Sequence, residues 1–327
     1  MATPIAQNFD ASLHKAPWTL LTKEGMERIP RVHDSYMGVR PSSNAKEEEL
    51  LYGGLPAVPR VANDQVRTPQ VSFKMGSPVV YRHAEYRYQY IYTKVAADDD
   101  QYGVVQDVVG DMGEGAAFTM EQVAASVLNE GLNTNVAAGW DGLSLFNANH
   151  QLIDSTITYS NILAAGGPTY AAVHTIVAYF KRLLNDQGFW TPVEIESIQV
   201  APELAPLWRQ LLGALSAYNI LSYTSGTGGG TVYGSTPAGT AQPNEGIANQ
   251  ARSMGMTPEK VVENHYLANA EDTIVIGVGK KLRTYMREEP NTDTYNLNDP
   301  KAIAHRIQMR FSVGFTDARR VLLLPGS

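Results

Sequence analysis

The chain has 327 residues, of which 43% are apolar and 18% are charged, a composition typical of a folded protein of about two domains. It contains no cysteine, which excludes disulfides, thiolate nucleophiles and cysteine-ligated metal sites. No apolar run is long enough to cross a bilayer and no signal-peptide core opens the sequence, so we expect a soluble protein without a standard export signal.

Residues 1–60 are predicted to form an extended arm, because six prolines interrupt them and their apolar residues follow no period. One short helix is expected within the arm. Asn44 can cap its first turn, Glu47 stands three residues later, and the pair Leu50-Leu51 precedes the stop signal Gly53-Gly54. A long irregular segment of this kind is more typical of a chain that reaches a partner than of a compact enzyme.

Residues 61–97 are predicted to form an extended β-hairpin. Apolar residues alternate before a turn signal at 76–78, and after it every second residue is a tyrosine: Tyr86, Tyr88, Tyr90 and Tyr92. A lone hairpin is only marginally stable, so the tyrosine face should pack on its own subunit or on a neighbour. The tyrosines and Arg87 could also stack nucleobases, but the formal net charge of −7 disfavours binding to phosphates.

Residues 98–165 contain the pattern of one long helix. Apolar residues recur every three or four positions from Tyr102 to Val127, which indicates a helix of about 30 residues. The acidic run 98–100 suits its N-terminus, and Asn129 suits its end. Three glycines could interrupt its middle: Gly110, Gly113 and Gly115.

Residues 166–300 are predicted to form a mixed α/β domain. A helix over 169–185 leads to a strand near 193–200, a helix after Pro202 and a buried strand at 274–278. The glycine-rich residues 225–246 are expected to form a flexible loop. Residues 301–327 alternate strictly up to Phe315, turn at Thr316-Asp317 and continue as a strand at 321–324, which predicts a hairpin that closes the fold.

Candidate catalytic and ligand sites are few. The glycine clusters at 226–230 and 277–281 lack the spacing of a nucleotide-binding loop, and none of the seven histidines forms a close metal-binding pair. Ser144, His150 and an aspartate could form a hydrolase site, but no G-x-S-x-G elbow is present. We therefore favour a loop histidine that bonds backbone carbonyls, and we predict no catalytic residue, no metal and no cofactor.

Three segments carry a resemblance to a known family: residues 47–55, residues 99–103 at the start of the long helix, and above all residues 142–150, GLSLFNANH, followed by Ser160-Asn161. In these segments, and over most of its length, the chain resembles the major head proteins of tailed bacteriophages. The likeness is greatest to the Mu-like group of the Hong Kong 97-type capsid lineage, although members of that group often have proline where this chain has Gln151.

The resemblance implies an α+β Hong Kong 97-type capsid fold. Its parts would be an N-terminal arm (1–60), an extended hairpin loop (61–97), a peripheral domain with a long spine helix (98–165), an axial α/β domain (166–300) and C-terminal strands that complete the peripheral domain (301–327). The implied function is structural: copies of the chain form hexamers and pentamers of an icosahedral head around double-stranded DNA, assembled in the host cytoplasm and located in the virion.

The same resemblance implies partners. These are further copies of the chain, portal and scaffolding proteins, cement proteins and the packaged DNA, with no membrane. No highly charged scaffolding helix precedes the arm, so a separate scaffolding protein or earlier processing is expected.

Charge patterning suggests which residues would join the copies. Residues 101–200 contain ten acidic residues but only two basic ones, whereas the rest of the chain is close to neutral. A solvated acidic face is equally compatible with this pattern. If the copies meet through it, we expect acids of one subunit to pair with arginines on adjacent arms and loops, with the tyrosine face as a further contact. The acids are Glu114, Glu121 and Glu130, and the arginines are Arg40, Arg60, Arg67 and Arg87.

Two alternatives remain at this stage. A cellular nanocompartment shell of the encapsulin type would show similar elements, and its content would be a cargo enzyme instead of DNA. A soluble α/β hydrolase that uses Ser144 and His150 is the less favoured alternative.

Overall fold

The computed structural model describes residues 11–55, 57–58, 70, 74–93, 95–96, 99–100, 102–153, 155–221, 251–297 and 302–326, without the side chains of 11–14 and 214–221. The helices of this part of the chain are α1 (Ala11–Glu27), α2 (Val104–Asn129), α3 (Tyr170–Lys181) and α4 (Ala205–Leu221). The strands are β1 (Gly38–Pro41), β2 (Lys46–Glu49), β3 (Val79–Arg82), β4 (Ala84–Thr93), β5 (His150–Gln151), β6 (Thr158–Tyr159), β7 (Ile195–Val200), β8 (Val261–Glu263), β9 (Thr273–Gly277), β10 (Leu282–Asn296), β11 (Ala302–Phe315) and β12 (Val321–Leu324). Within the described residues, no helix is long and apolar enough to cross a membrane.

A four-stranded sheet in the order β1-β10-β11-β4 forms the larger layer. Strand β11 runs antiparallel to both of its neighbours, β10 and β4, and the edge strand β1 is parallel to β10. One face packs on α2, where Ile307, Met309 and Phe311 of β11 meet Met112 and Ala116. Strand β10 was not predicted, because its second half alternates without a continuous apolar side. The predicted boundary at residue 300 therefore separates two paired strands of one sheet.

The long helix of the sequence analysis is α2, with 26 residues and a length of about 39 Å. Its N-terminus follows the prediction, because the Asp100 carboxylate accepts hydrogen bonds from the backbone nitrogens of Val104 and Val105, both at 2.9 Å. The helix ends at Asn129, also as predicted. The three glycines, which could have interrupted the helix, do not do so: the helix is continuous. Gly113 contacts α1 where a side chain would collide with the backbone of Thr22.

The prediction of an extended arm is wrong for residues 11–27, which form the helix α1 despite an internal proline, Pro17. Tertiary packing outweighs the local cost of that proline. The Trp18 side chain is buried, its ring lies 4.6 Å from that of Tyr92, and it joins a cluster with Val109 and Ile303. The described part of the arm therefore includes a helix that lies on α2 and the larger sheet.

A second sheet, in the order β12-β9-β7-β8, contains the predicted strands near 195–200 and 274–278. Helices α3 and α4 cover one face, and the C-terminal end of α2 packs on the other. The predicted C-terminal hairpin is wrong, because β11 lies in the larger sheet whereas β12 pairs with β9. All four β12 residues are buried although β12 is an edge strand. Leu322 and Leu324 pack in the cluster under α3 and α4, and Val321 and Leu323 pack in the cluster at the end of α2. The predicted loop at 225–246 lies outside the described residues.

Strands β2 and β3 form a separate two-stranded ribbon. Beyond them the ribbon continues through an antiparallel bridge between Tyr52 and Met75, with hydrogen bonds from Gly53 N to Lys74 O (2.9 Å) and from Gly76 N to Leu51 O (2.8 Å). The helix predicted near Glu47 is therefore wrong, because its residues pair with β3. The predicted pairing of the tyrosine strand with residues 70–75 is also wrong where it can be followed: β4 pairs with β11, and residues 71–73 lie outside the described chain.

Candidate assembly surfaces

The loop at 142–150 was the only candidate for catalysis, and its geometry is that of a structural loop. The Ser144 hydroxyl donates to the carbonyl of Phe146 at 3.0 Å, and the hydrogen bonds of the His150 ring go to other residues. His150 is buried, with Nδ1 2.7 Å from Asp141 Oδ2 and Nε2 3.2 Å from the Leu145 carbonyl. Burial alone would raise the pKa of Asp141, but the hydrogen bond from His150 holds that pKa below its usual value. The backbone-bonding role predicted for His150 is confirmed.

Asn161 joins this loop to the C-terminal strand region. Its side-chain nitrogen donates to the carbonyls of Leu145 (2.7 Å) and Val321 (3.1 Å), and its oxygen accepts from Asn147 N at 2.9 Å. The side chain is completely buried. Sequence reasoning noted the Ser160-Asn161 pair only as part of a resemblance. The hydrogen bonds explain why an amide, which both donates and accepts, suits this position.

The four tyrosines of β4 pack against helices and strands of their own subunit. The Tyr88 hydroxyl donates to the Met112 carbonyl of α2 at 2.8 Å, Tyr86 stacks on Phe311 at 5.0 Å, and Tyr90 stacks on Tyr92 at 6.2 Å. Burial raises the pKa of the Tyr92 phenol. Packing on the subunit's own body, one of the two predicted outcomes, accounts for most of this face, although Tyr88 stays 46% exposed.

The three predicted acids occupy different environments. Glu114 is half-buried beside Arg28, at 3.8 Å, and exposed Glu130 accepts from Asn133 at 2.6 Å. Glu121 is only 1% exposed: its carboxylate accepts from the backbone nitrogen of His33 at 2.9 Å and lies 2.6 Å from His33 Nδ1. The prediction that Glu121 meets a neighbouring arginine is therefore wrong, because its carboxylate does not reach the surface.

The predicted arginines also lie apart. Arg87 is exposed on β4 and pairs with Glu85 at 3.2 Å, and Arg40 pairs with Glu49 at 3.2 Å. Arg60 and Arg67 lie outside the described residues.

Glu49 of β2 ties the ribbon to the larger sheet. Its carboxylate pairs with Arg283 at 3.2 Å and accepts from the Thr316 hydroxyl. Burial opposes ionisation of Glu49, but hydrogen bonds from Thr316, Tyr285 and Arg283 lower its pKa overall. The isolated sequence offered no signal for this pairing, because Glu49 and Arg283 are 234 positions apart.

One face of the ribbon is exposed to solvent, and beside the charged residues Lys46, Glu48 and Arg82 it carries a row of apolar side chains. Leu50 is 53% exposed, Met75 59% and Val80 42%, and Tyr52 lies opposite Met75 on this side. The other face holds buried residues, among them Val79 and Tyr81, which pack with Tyr285 and Trp140. The ribbon is thus anchored on one side and presents apolar side chains on the other.

Comparisons with known proteins agree with this fold. A sequence model of the family described as "Phage capsid protein" matches residues 77–324. The capsid structure of the cyanophage P-SCSP1u is similar, with 11% identity, a TM-score of 0.55 and coverage of 89% of this chain and 86% of that chain. The capsid of a native GTA particle is also similar, with 10% identity, a TM-score of 0.54 and coverage of 91% of each chain. No curated protein sequence matches the chain.

The family match covers more than half of the chain, and the neighbouring structures share its α+β architecture. The chain therefore belongs to the phage capsid protein family, has the Hong Kong 97-type capsid fold, and is a structural shell protein of the virion.

Proposed function

We propose that copies of this chain join as hexamers and pentamers into an icosahedral head that encloses double-stranded DNA. The observation that carries the proposal is the ribbon formed by β2, β3 and the bridge beyond them. A two-stranded ribbon is marginally stable in water, and this one exposes Leu50, Tyr52 and Met75 on a single face. Burial of that face against a neighbouring copy would supply the missing stabilisation.

A groove on the same subunit offers a complementary surface. Its volume is about 1120 Å³, and it lies between α2, β4 and β11, with Phe118, Val123 and Phe311 among its lining residues. We infer that the ribbon of one copy rests in this groove of the next. Because the two surfaces differ, the contact is heterologous, and repeated contacts of this kind close into rings.

Charge would then set the register between copies. Arg87 and Arg40 are both more than half exposed, and each pairs with an acid of its own subunit, Glu85 and Glu49 respectively. Glu114 lies on α2, and Glu130 directly follows the last residue of that helix. We still predict that these arginines pair with these acids on adjacent copies. The prediction also includes Arg60 and Arg67.

The ribbon is tested with the double variant Leu50→Ser/Met75→Ser and the control Leu207→Ser, whose side chain on α4 is 50% exposed. We expect the wild type and the control to form closed particles in negative-stain microscopy. The double variant should remain as small oligomers with an unchanged circular dichroism spectrum. Normal particles from the double variant would refute the role of the ribbon.

The charged contacts are tested separately by Arg87→Glu and Arg40→Glu at low ionic strength, where surface electrostatics are least screened. We expect reduced particle yield, and partial recovery when Glu114→Arg accompanies Arg87→Glu. Unchanged assembly at low salt would argue against these pairs.

The content of the particles distinguishes a phage head from a cellular nanocompartment. We propose nuclease-protected double-stranded DNA as the content, and portal, scaffolding and cement proteins as partners during assembly in the host cytoplasm. A co-purifying cargo enzyme in place of DNA would favour the nanocompartment. Placement in the Mu-like group remains a prediction.

A further inference from the structure

A small apolar cavity lies between α3 and the loop that follows β5. Its volume is about 330 Å³, and its apolar lining includes Leu152, Leu163, Leu183 and Leu184. Ile157, which also lines the cavity, is 43% exposed. Two further exposed aromatic residues lie in the turn after Leu184, next to the cavity, and we call them its rim: Phe189, which is 45% exposed, and Trp190, which is 65% exposed. Neither the ribbon contact nor the charged pairs described above involve these residues.

Local hydrogen bonds fix the shape of the rim. The Asn185 side-chain oxygen accepts from Gln187 N at 3.0 Å and Phe189 N at 2.8 Å, and Leu184 is bridged to Trp190. Gly188 adopts a φ of 78°, which glycine accommodates without strain. The exposed aromatic residues therefore belong to a turn whose conformation is fixed by hydrogen bonds.

The exposed area favours a protein partner. Trp190 and Phe189 together expose roughly 250 Å² of side chain, if each aromatic residue can bury about 150–250 Å². The patch continues onto the ribbon, because the Gln187 side chain donates to the Gly54 carbonyl at 2.8 Å and Leu55 beside it is 64% exposed. These two residues alone supply about a third of the roughly 800 Å² that one partner contributes to a standard interface. Exposed apolar patches of a few hundred Å² are often functional.

The charged residues at the cavity indicate a second property of the partner. Arg319 lines it but is neutralised by Asp186 at 3.0 Å and Asp317 at 2.7 Å. Arg182 also lines the cavity, is exposed, and makes no ion pair within the described part of the chain. An acidic group of a partner would meet this guanidinium at the rim.

We propose that the cavity and its aromatic rim are a contact surface for a second copy of the chain, which inserts an apolar side chain into the cavity and places a carboxylate beside Arg182. This inference rests on the proposed function, because a shell subunit meets other copies at several surfaces and this patch adjoins the ribbon.

The absence of native cysteine makes the contact measurable. Phe189→Cys introduces a single thiol at the rim, and Leu207→Cys introduces one on α4 at a similarly exposed position. Each variant is labelled with a maleimide dye as dissociated subunits and as assembled particles. We expect assembly to slow the labelling of Phe189→Cys at least tenfold, and to slow it more than that of Leu207→Cys. Trp190→Cys serves as a second probe if Phe189→Cys does not fold.

The results separate this inference from the proposed function. Particles in which the rim thiol reacts as fast as in dissociated subunits, or is slowed no more than that of Leu207→Cys, would overturn the inference and leave shell assembly intact. Slow labelling in both states would show that the subunit itself covers the cavity, which also overturns it. Failure of the wild type to form particles would instead refute the proposed function.

Charge reversal provides an independent test of the carboxylate. Arg182→Glu should reduce particle yield several-fold more than Lys181→Glu, a matched change one residue earlier at the end of α3. Equal yields would overturn this part of the inference.

Discussion

The close approach of α1 and α2 depends on Gly113, and Gly113→Ala should separate the two helices. A Cβ atom at this position would lie 2.8 Å from the carbonyl carbon of Thr22 and 3.0 Å from the backbone nitrogen of Met26. Both neighbours are backbone atoms, so no side-chain rotation relieves the clash. The carbonyl oxygen of Thr22 would lie closer still to the Cβ atom. Because non-bonded heavy atoms pack at about 3.5–4.0 Å, α1 must move by about 1–2 Å.

The energetic effect has two parts of opposite sign. Replacing glycine by alanine inside a helix normally stabilises it by up to about 1 kcal/mol. Here the shift of α1 loosens the buried cluster of Trp18, Val109 and Ile303, and overpacking of this kind costs about 1–3 kcal/mol, occasionally more. We therefore expect a net loss of about 2 kcal/mol from the free energy of unfolding.

Gly110→Ala is the matched control, three residues earlier in the same helix. A Cβ atom there meets only the flexible Arg28 side chain, at 3.7 Å, so the helix propensity gain should remain. Urea unfolding of dissociated subunits, followed by circular dichroism and tryptophan fluorescence, compares both variants with the wild type. Gly113→Ala should unfold at lower urea and Gly110→Ala at equal or higher urea. Equal midpoints for the two variants would refute the reasoning.

Three further predictions concern buried polar groups. Glu121→Gln should lower the free energy of unfolding by about 2 kcal/mol in urea melts, because the amide cannot accept both hydrogen bonds from His33, and an unchanged midpoint would contradict this. Burial lowers the pKa of His305 to about 4, so the folded state disfavours its protonation. Neutral His305 therefore contributes to the free energy of unfolding fully above pH 6.5, and this contribution declines as the pH falls toward 4. His305→Gln should flatten this part of the pH dependence of the urea midpoint. Asn161→Asp should destabilise by about 2–4 kcal/mol, because a carboxylate cannot donate to the Leu145 and Val321 carbonyls; a thermal melt like that of the wild type would exclude this role.

Features governed by local physics followed from the sequence. The apolar period of α2, its acidic start at Asp100 and its end at Asn129 depend on residues within a few positions of each other, so they are legible without the fold. The same holds for α3, which Thr169 caps through Ala172 N at 3.2 Å. The role of His150 was predictable because its sequence context lacks a nucleophile elbow.

Burial around helix α2 was only partly predictable. The predicted stripe included Met112 and Met120, which are buried, but also Tyr102, which is 87% exposed. Glu121 is buried because a loop from the arm, with His33 in it, covers a second side of the helix. Periodicity identifies one apolar face, and it carries no information about a partner 88 positions away.

By itself the sequence determined the long helix, the buried strands of the second sheet, the absence of thiol chemistry and a resemblance that the family match supports. Only the tertiary structure decided that residues 11–27 form a helix, that β2 is a strand, and that β12 pairs with β9 instead of β11. The physical reason is that each of these outcomes depends on residues far away in the sequence. Helix α1 needs the glycines of α2 for its close approach, β12 needs the edge of β9, and β2 needs β3 as its partner strand. Which strand edges and helix faces remain uncovered is settled only when the whole core is assembled.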